Sequence, residues 1–558
     1  MNTIKYSITI ILALCGVLWL SSCDVLGEDD FLERYPMDTP SPEVFFVDES
    51  SAKQAVIAAY WPWARGNASM YRRDLQILFD GMSDDAHWRP SRAASIQQAD
   101  WNINSDHGTM NVYWSNVFRA VNAANFAIDG IPLLLDRGLT QDQLDPYIAE
   151  ARFIRAFSYI FLTTFFGDVP MIDRPLSSFD EFSQPRTAAD QIYEQIIIPD
   201  LEHARDFLPA QWPSAYEGSA TRAAAAGYLA KAHLYNGNYP AAETAAREAI
   251  TLAEGDGYQL VDDYMSIFDI ENEPSPEVLF YIQFLDNHPD QGSNDMVQKL
   301  ARDIPPAFNH VWGVAGWGYH LPQRDLYDAF EEDDPRREYT IFAPGDDWGV
   351  YEGSEPFTYT HRGFDENGNP TSWERTYTAG DVIEYDYRWG ETGMNVRKGI
   401  YNIGHLADER WAGKDIPLMR MGELYLILAE ALAEQGSAEA LDWVNAVRAR
   451  GTVNMPPKEM GDMGMDLVEL VRHERRVELA MEGQRLWDLI RWRKIRDVFG
   501  DGTQVKRHYY SDFLDDMHSR FNSPNLDNYP GDLVLFPIPL AEIDQNSEIS
   551  PADQNPGY

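Results

Sequence analysis

The sequence of 558 residues contains only two cysteines, Cys15 and Cys23. That number excludes a disulfide-stapled scaffold and a metal site built from several cysteines. Hydrophobic residues make up 44% of the chain and aromatic residues 13%, which supports a large core and is not typical of intrinsic disorder. At this length, two or more structural units are expected.

Basic residues are also scarce. Lys and Arg number 45 against 89 Asp and Glu, so the formal net charge is −44. Nucleic acids and anionic membrane surfaces are bound through basic patches, and this composition argues against both as electrostatic partners. An acidic surface instead keeps a protein soluble and apart from its neighbours.

Hydrophobic runs of membrane-spanning length are absent. The apolar run at residues 8–20 is shorter than the ~20 residues that a spanning helix needs, and it has the proportions of a signal-peptide core. It ends in Leu-Ser-Ser directly before Cys23, which indicates a lipoprotein signal at 1–22 and lipidation of Cys23. Residues 23–50 would then be a lipidated tether and lead-in. An ordinary secreted protein with an incidental cysteine is the alternative.

Catalytic motifs are missing as well. The sequence has no GxSxG elbow, HExxH, P-loop or GxGxxG fingerprint. Carboxylates are so abundant that a glycosidase-like pair could be drawn almost anywhere, which makes such a pair uninformative. Residues 365–369 alternate oxygen side chains as a calcium loop does, but the glycine comes too early for an EF-hand and a plain turn is favoured. We therefore expect a binding protein with no cofactor and no metal.

Helical periodicity with small residues at close crossings recurs along the chain. Residues 222–253 form two short helical patterns joined at 236–238, with the spacing of a tetratricopeptide repeat. Residues 421–450 repeat this design. Two further pairs are predicted: 147–166 with 190–208, and 113–128 with the helix before it. The sequence thus predicts a mostly α fold, a tetratricopeptide-like scaffold of about four helix pairs.

A long irregular segment interrupts this scaffold. The helical parts are predicted at 51–254 and 416–499, and the insertion at 255–415 is rich in Gly, Pro, Asp and aromatic residues. Residues 500–558 form an irregular closure. Insertions of this kind make loops and short hairpins, and loops often carry function.

The most heavily charged segment is 467–496, which we call the charged segment. Its apolar residues have helical spacing, and it predicts one long helix or two helices with a joint at Gly483. Four opposite-charge pairs lie three residues apart on this pattern: Arg475–Glu478, Glu482–Arg485, Arg485–Asp488 and Asp488–Arg491. Either the segment is a solvated charged helix, or these pairs are partly buried and position-specific.

The run ERRVELAMEGQRLWDLIRW at 474–492 resembles the carboxyl-terminal signature of the SusD/RagB family. The lipoprotein signal, the helical repeats, the insertion and the closing QNPGY at 554–558 follow in the order typical of that family. The resemblance implies a non-catalytic lipoprotein, anchored by lipid in the outer membrane and exposed at the cell surface. Its implied role is to bind glycan and deliver it to a SusC-like TonB-dependent transporter.

Sugars present flat apolar faces and a rim of hydroxyls, so a glycan site needs exposed aromatic planes with polar groups around them. In the family, stacking aromatics come from the loop after the first helix and from the insertion, which correspond here to the binding loop 80–110 and to the insertion around 312–319. The aromatic candidates are Trp88, Trp101, Trp312, Trp317 and Tyr319. The polar rim candidates are Asp84, Asp85, Arg89 and Arg92. For each tryptophan, packing within the loops is the alternative.

Two other functions remain open from the sequence. The same fold could capture peptide or another nutrient. It could also be a repeat scaffold that binds no small ligand. Exposed aromatic planes in the insertion would favour glycan.

Overall fold

A computed structural model of the protein describes residues 41–64, 75–88, 97–176, 178–284, 320–350, 354–364, 370–389, 392–399, 414–499, 526 and 532–558. Helices dominate these ranges. The helices of the first half are α1 Pro42–Phe45, α2 Glu49–Ala64, α3 Leu75–Gly81, α4 Gly108–Gly130, α5 Gln141–Phe166, α6 Ala189–Ile192, α7 Ile198–Phe207, α8 Arg222–Tyr235 and α9 Tyr239–Gly255. Those of the second half are α10 Arg324–Tyr327, α11 Arg336–Thr340, α12 Met421–Glu434, α13 Ala440–Arg448, α14 Leu467–Glu478, α15 Arg485–Arg491, α16 Ile495–Phe499 and α17 Leu540–Gln545.

The long helices stack in sequence order as a solenoid. Helix α2 packs on α4, α5 on α7, α8 on α9, and α12 on α13. Contacts of α4 with α5, α7 with α8, and α9 with α12 join these pairs into one row. The predicted mostly α fold with four helix pairs is therefore confirmed, and one continuous hydrophobic core runs along the row.

Small side chains allow the helices to approach closely. Helix α9 buries Ala242, Ala245, Ala246 and Ala249, which recur at three- and four-residue steps on one face. Its first turn is closed by Asn238, whose side chain accepts a hydrogen bond from the Ala241 N–H. The turn before it is the predicted one at 236–238.

The helix predicted at 190–208 is confirmed as one continuous helix, Ala189 to Phe207, with a wide turn inside it. The π-helical turn, Tyr193–Ile197, joins α6 to α7, and the residues at both junctions keep right-handed helical φ and ψ angles. Pro199 follows this turn and has no N–H for the hydrogen-bond ladder of the helix. A π-helix of a single turn usually occurs in this way, as a local bulge inside an α-helix.

Twelve short strands cross the described residues, most of them in the insertion. They are β1 Ala86–Trp88, β2 Val169–Pro170, β3 Arg186–Thr187, β4 Val278–Ile282, β5 His320–Pro322, β6 Ile341–Phe342, β7 Asp347–Val350, β8 Phe357–Phe364, β9 Pro370–Tyr377, β10 Val382–Glu384, β11 Asn395–Val396 and β12 Ile416–Arg420. All pair antiparallel in twos: β1 with β5, β2 with β3, β4 with β12, β6 with β11, β7 with β10, and β8 with β9. The β4–β12 pair brings the two ends of the insertion together on the scaffold.

The charged segment forms two main helices with a joint between them. Helix α14 begins with a capping box of Asp466 and Glu469 and ends at Glu478. Met481 and Gly483 have positive φ angles of 63° and 74°, which turn the chain before α15 begins. The joint predicted at Gly483 is confirmed.

Buried ion pairs run through this segment. Glu478 accepts hydrogen bonds from Arg336 (2.9 Å), Arg420 (2.7 Å) and Arg450 (2.9 Å), and all four side chains are almost fully buried. Arg336 belongs to the insertion and Arg420 to β12. A single carboxylate thus joins the charged segment to three other parts of the fold, because Arg450 follows α13.

Three of the four predicted pairs within the segment were wrong. Only Asp488 and Arg491 pair at three-residue spacing. Arg475 instead reaches Asp488 across the joint, at 2.8 Å, and also binds Glu423 of α12. The turn after Glu478 rotates α15 away from the line of α14, so its charges meet partners on other elements.

Replacing Glu478 with Gln should lower the free energy of unfolding by about 3–5 kcal/mol, because it removes the charge that three buried guanidinium groups share. Burial alone would raise the pKa of Glu478, but Arg450, Arg420 and Arg336 together hold it well below its ordinary value of 4.5. The stabilisation is therefore present above about pH 4.5 and is lost as the pH falls through the lowered pKa of the folded state. Urea unfolding at several pH values measures it.

The matched control is Glu338→Gln, because Glu338 is 61% exposed and pairs with Arg337 at the surface. This change should cost less than about 1 kcal/mol. Equal losses for the two variants would contradict a structural role for the buried carboxylate.

Candidate functional site

The candidate site begins at the first predicted binding loop, where α3 ends. The buried carboxylate of Asp80 accepts a hydrogen bond from the Gly483 N–H at 3.0 Å and lies 2.9 Å from Nε2 of His320. Burial raises the pKa of Asp80, while His320 and the Gly483 N–H oppose that rise. One side chain therefore ties the loop to the joint of the charged segment and to β5.

Two arginines of the charged segment hold the next part of the loop. Arg485 donates two hydrogen bonds to Asp84, from Nε at 2.8 Å and from Nη2 at 2.9 Å. Arg476 donates to Asp85 from Nε at 2.7 Å, and its Nη2 lies 2.9 Å from Asp84. Two-pronged arginine–carboxylate pairs fix geometry as well as adding energy.

The two aspartates differ in electrostatic environment. Burial would raise the pKa of Asp84, but Arg476 and Arg485 lower it well below the ordinary range. Burial raises the pKa of Asp85 to about 6. Attraction to Arg476 opposes this rise, and repulsion from Asp84 adds to it. Asp84 is thus the strongly ionised member of the pair.

The strand pair β1–β5 brings the two predicted binding segments together. Ala86, His87 and Trp88 lie opposite Pro322, Leu321 and His320. The Gln323 N–H also donates to the Asp85 carbonyl at 2.8 Å. Because the strands are antiparallel, Trp88 at the end of β1 and His320 at the start of β5 lie at the same end of the strand pair. The segment after Trp88 and the segment before His320 are therefore both attached to the fold at that end.

The prediction that Trp101 stacks on a sugar was wrong. Its side chain is 1% exposed, and its Nε1 donates a hydrogen bond to the Met82 carbonyl at 3.0 Å. Its ring lies 6.5 Å from that of Phe536, measured between centroids. The backbone has a φ of 56°, so the chain turns sharply and directs the ring into the core. Trp101 packs the base of the loop.

The polar rim assignment of Asp84 and Asp85 is also corrected. Both side chains are buried, at 6% and 1% exposure, and both are bonded to arginines. They anchor the loop and do not face solvent. The sequence signal for these partners was present in the unusual number of arginines in the charged segment, but nothing in the sequence connects Arg485 with a residue 401 positions away.

The remaining predicted residues are placed only in part. Trp88 lies on β1, where its backbone pairs with His320. The following residues and segment lie outside the described residues and stay predictions: Cys23, Arg89, Arg92, Trp312, Trp317, Tyr319 and the turn at 365–369.

In the described ranges, no group of three or more His, Cys, Asp or Glu side chains is arranged to hold a metal ion. Among the described helices, none combines the length and apolar composition that crossing a bilayer requires.

Comparison with known families identifies two matching sequence models. The model of the SusD family matches residues 276–558. A second model, described as starch-binding and associating with the outer membrane, matches residues 30–234. Together they cover both the helical first half and the part that contains the insertion and the charged segment.

Similar proteins agree with these matches. SusD-like protein P2 of Formosa agariphila is 27% identical over 99% of this chain and 100% of its own length. The starch-binding protein SusD of Bacteroides thetaiotaomicron is 25% identical over 75% of this chain and 74% of its own. A solved laminarin-binding SusD-like protein is similar in fold, with a TM-score of 0.67 at 23% identity, covering 92% of this chain and 100% of its own.

Replacing Trp101 with Ala should destabilise the protein by about 3–5 kcal/mol, because it leaves a cavity in the core. The control is Trp61→Ala, because Trp61 is 45% exposed and the loss of its side chain should cost about 1 kcal/mol or less. Thermal and urea unfolding of the two variants measure the difference. A Trp101→Ala protein as stable as the wild type would restore Trp101 as a candidate surface platform.

Proposed function

We propose, from the premise that this chain belongs to the SusD family, that it is a lipid-anchored surface protein that binds glycan and delivers it to a partner TonB-dependent transporter. The single observation that carries the glycan site is the β1–β5 pair. Exposed aromatic residues are predicted in two distant segments, and this strand pair attaches both segments to the same edge of the fold. A site assembled from two distant segments can offer more than one ring to a sugar chain.

The rigid base of the site supports this proposal. A ligand binds more tightly when its site is already ordered, because less conformational entropy is lost on binding. Loops that start from rigid parts of the fold lose less of this entropy. Asp80, Asp84 and Asp85 fix the first segment against the charged segment, and His320 and Gln323 fix the second against the first. The aromatic residues proposed to contact glycan are Trp88, Trp312, Trp317 and Tyr319, with Arg89 and Arg92 as polar partners.

The relatives support glycan as the ligand class. One is named as starch-binding, one solved neighbour as laminarin-binding, and another, a surface glycan-binding protein of Bacteroides thetaiotaomicron, was solved with laminarihexaose. These names favour glycan over the two alternatives, which are peptide capture and a scaffold without a small ligand.

One observation favours a catalytic role, but the burial and bonding of the two residues concerned argue against it. Asp84 and Asp85 have pKa values driven in opposite directions, as the two carboxylates of a glycosidase must. Both are buried, however, and both are bonded to arginines, so a substrate cannot reach them. This arrangement supports a binding protein that catalyses no reaction.

The amino-terminal sequence and the family support the proposed anchoring and delivery. Lipidation of Cys23 would hold the protein at the outer membrane, in line with the family description of association with that membrane. The solenoid offers an extended surface for a SusC-like transporter, as helical repeats do for other partners.

Replacing Trp312 or Trp317 with Ala should weaken glycan binding roughly 5- to 30-fold for each ring, which corresponds to the ~1–2 kcal/mol gained by covering one sugar face. Affinity electrophoresis against a panel that includes starch and laminarin identifies the glycan. Titration of the retarding glycan then gives the affinities.

The matched control is Phe207→Ala, because Phe207 is 44% exposed on α7 and lies on neither predicted loop. It should leave binding unchanged. If no polysaccharide retards the wild-type protein, glycan binding is wrong, and peptide capture or a scaffold role takes its place.

A further inference from the structure

A second aromatic-lined cleft lies on a different part of the scaffold. The linker between α7 and α8 passes over the end of β4, and cavities of about 410 Å³ and 210 Å³ open on its two sides. Both cavities are lined by Glu217, Gly218 and Ser219 of the linker and by Tyr281 of β4. We call the two together the linker cleft. Its size falls in the range of small-ligand sites.

Aromatic rings form much of its wall. Trp212, Tyr216 and Tyr258 line the larger cavity and are each half-buried. Trp61 lines the smaller cavity and is 45% exposed. Half-exposed rings at a cavity wall offer the flat apolar surface that a sugar face covers.

A buried cation supports two of these rings from the protein side. Nζ of Lys53 lies 4.4 Å from the ring centroid of Trp212 and 4.8 Å from that of Tyr216. The same atom donates to Glu150 at 2.7 Å and to Ser219 at 2.6 Å. Trp212 also donates from Nε1 to a backbone carbonyl at 2.7 Å. The rings are therefore held in place before any ligand arrives, which lowers the entropy cost of binding.

The polar lining defines the ligand class. Among the described residues that line the two cavities, none is Lys, Arg or His, whereas Glu217 and Asp256 are acidic. Asp256 is already bonded to Arg222 at 2.8 Å. The two cations beside the cleft are already paired, Lys53 with Glu150 and Arg222 with Asp256, and Glu217 adds negative charge, so an anionic ligand is disfavoured. Hydroxyl groups can donate to Glu217 and exchange hydrogen bonds with Ser214 and Gln211 at the rim.

We propose that the linker cleft is a second glycan-binding site, which takes a short stretch of neutral sugar chain. The inference rests on the proposed function in that the ligand class is glycan. Of the lining residues that the structure describes, none belongs to the loop base at 75–101 or to β5. A polysaccharide long enough to reach both sites gains avidity, because the second contact is made within one complex.

The test compares the wild type with three variants: Trp61→Ala with Tyr258→Ala, Trp312→Ala with Trp317→Ala, and all four changes together. The probes are laminarihexaose and maltohexaose in isothermal titration calorimetry, and the polysaccharide that retards the wild type in affinity electrophoresis. We expect the cleft variant to lose about tenfold in polysaccharide affinity, and the loop variant to keep residual binding that the combined variant loses. Trp61→Ala alone should lose about fivefold in polysaccharide affinity. Because Trp61 is exposed, this variant should fold even if the double variant does not. Phe207→Ala controls for the loss of an exposed ring outside both sites.

The outcomes separate the two proposals. If the loop variant loses all binding and the folded Trp61→Ala and cleft variants equal the wild type, the cleft proposal is overturned and the loop site stands. If the cleft variant loses binding and the loop variant does not, the cleft is the glycan site and the loop assignment fails. If no probe binds any of the proteins, both proposals fail.

Discussion

Guanidinium groups buried against carboxylates are the constraint on which the rest of the structure depends. Glu478 alone joins Arg336 of the insertion, Arg420 at the end of β12 and Arg450 after α13. A buried ion pair gives little net stability over a well-packed apolar pair, but losing one partner leaves a charge in the core. Such a network therefore specifies one arrangement of helix, insertion and strand, and it strongly disfavours others.

The same charged segment also positions the candidate glycan site. Arg476, Gly483 and Arg485 bind the first loop, within eight residues of the carboxylate that holds the insertion. Scaffold, insertion and loop base are thus fixed by one short stretch of chain. The linker cleft depends on a different buried pair, Lys53 with Glu150, so its rings are held independently of this network.

The sequence predicted the scaffold well because helical periodicity and small residues act locally. The helix pair at 222–253 and the joint at Gly483 were both confirmed. The burial of Trp101 was missed because a polar sequence neighbourhood looks the same whether a loop is exposed or folded onto a core. The partners of Asp84 and Asp85 were missed because they are set by long-range packing, which spacing along the chain does not encode. The linker aromatics were missed because Trp212 and Tyr216 stand between two helices in a segment without periodicity.

If the proposed glycan site is correct, the contacts of the charged segment with Asp80, Asp84 and Asp85 hold the base of its first loop in place. The direct measurement is the glycan affinity of an Arg485→Ala variant at a temperature where circular dichroism shows it fully folded, compared with Arg324→Ala at an exposed pair. We expect at least a roughly tenfold loss for Arg485→Ala, because Asp84 and the loop base lose their two-pronged contact, and no loss for the control. A folded Arg485→Ala protein that binds glycan as tightly as the wild type would contradict it.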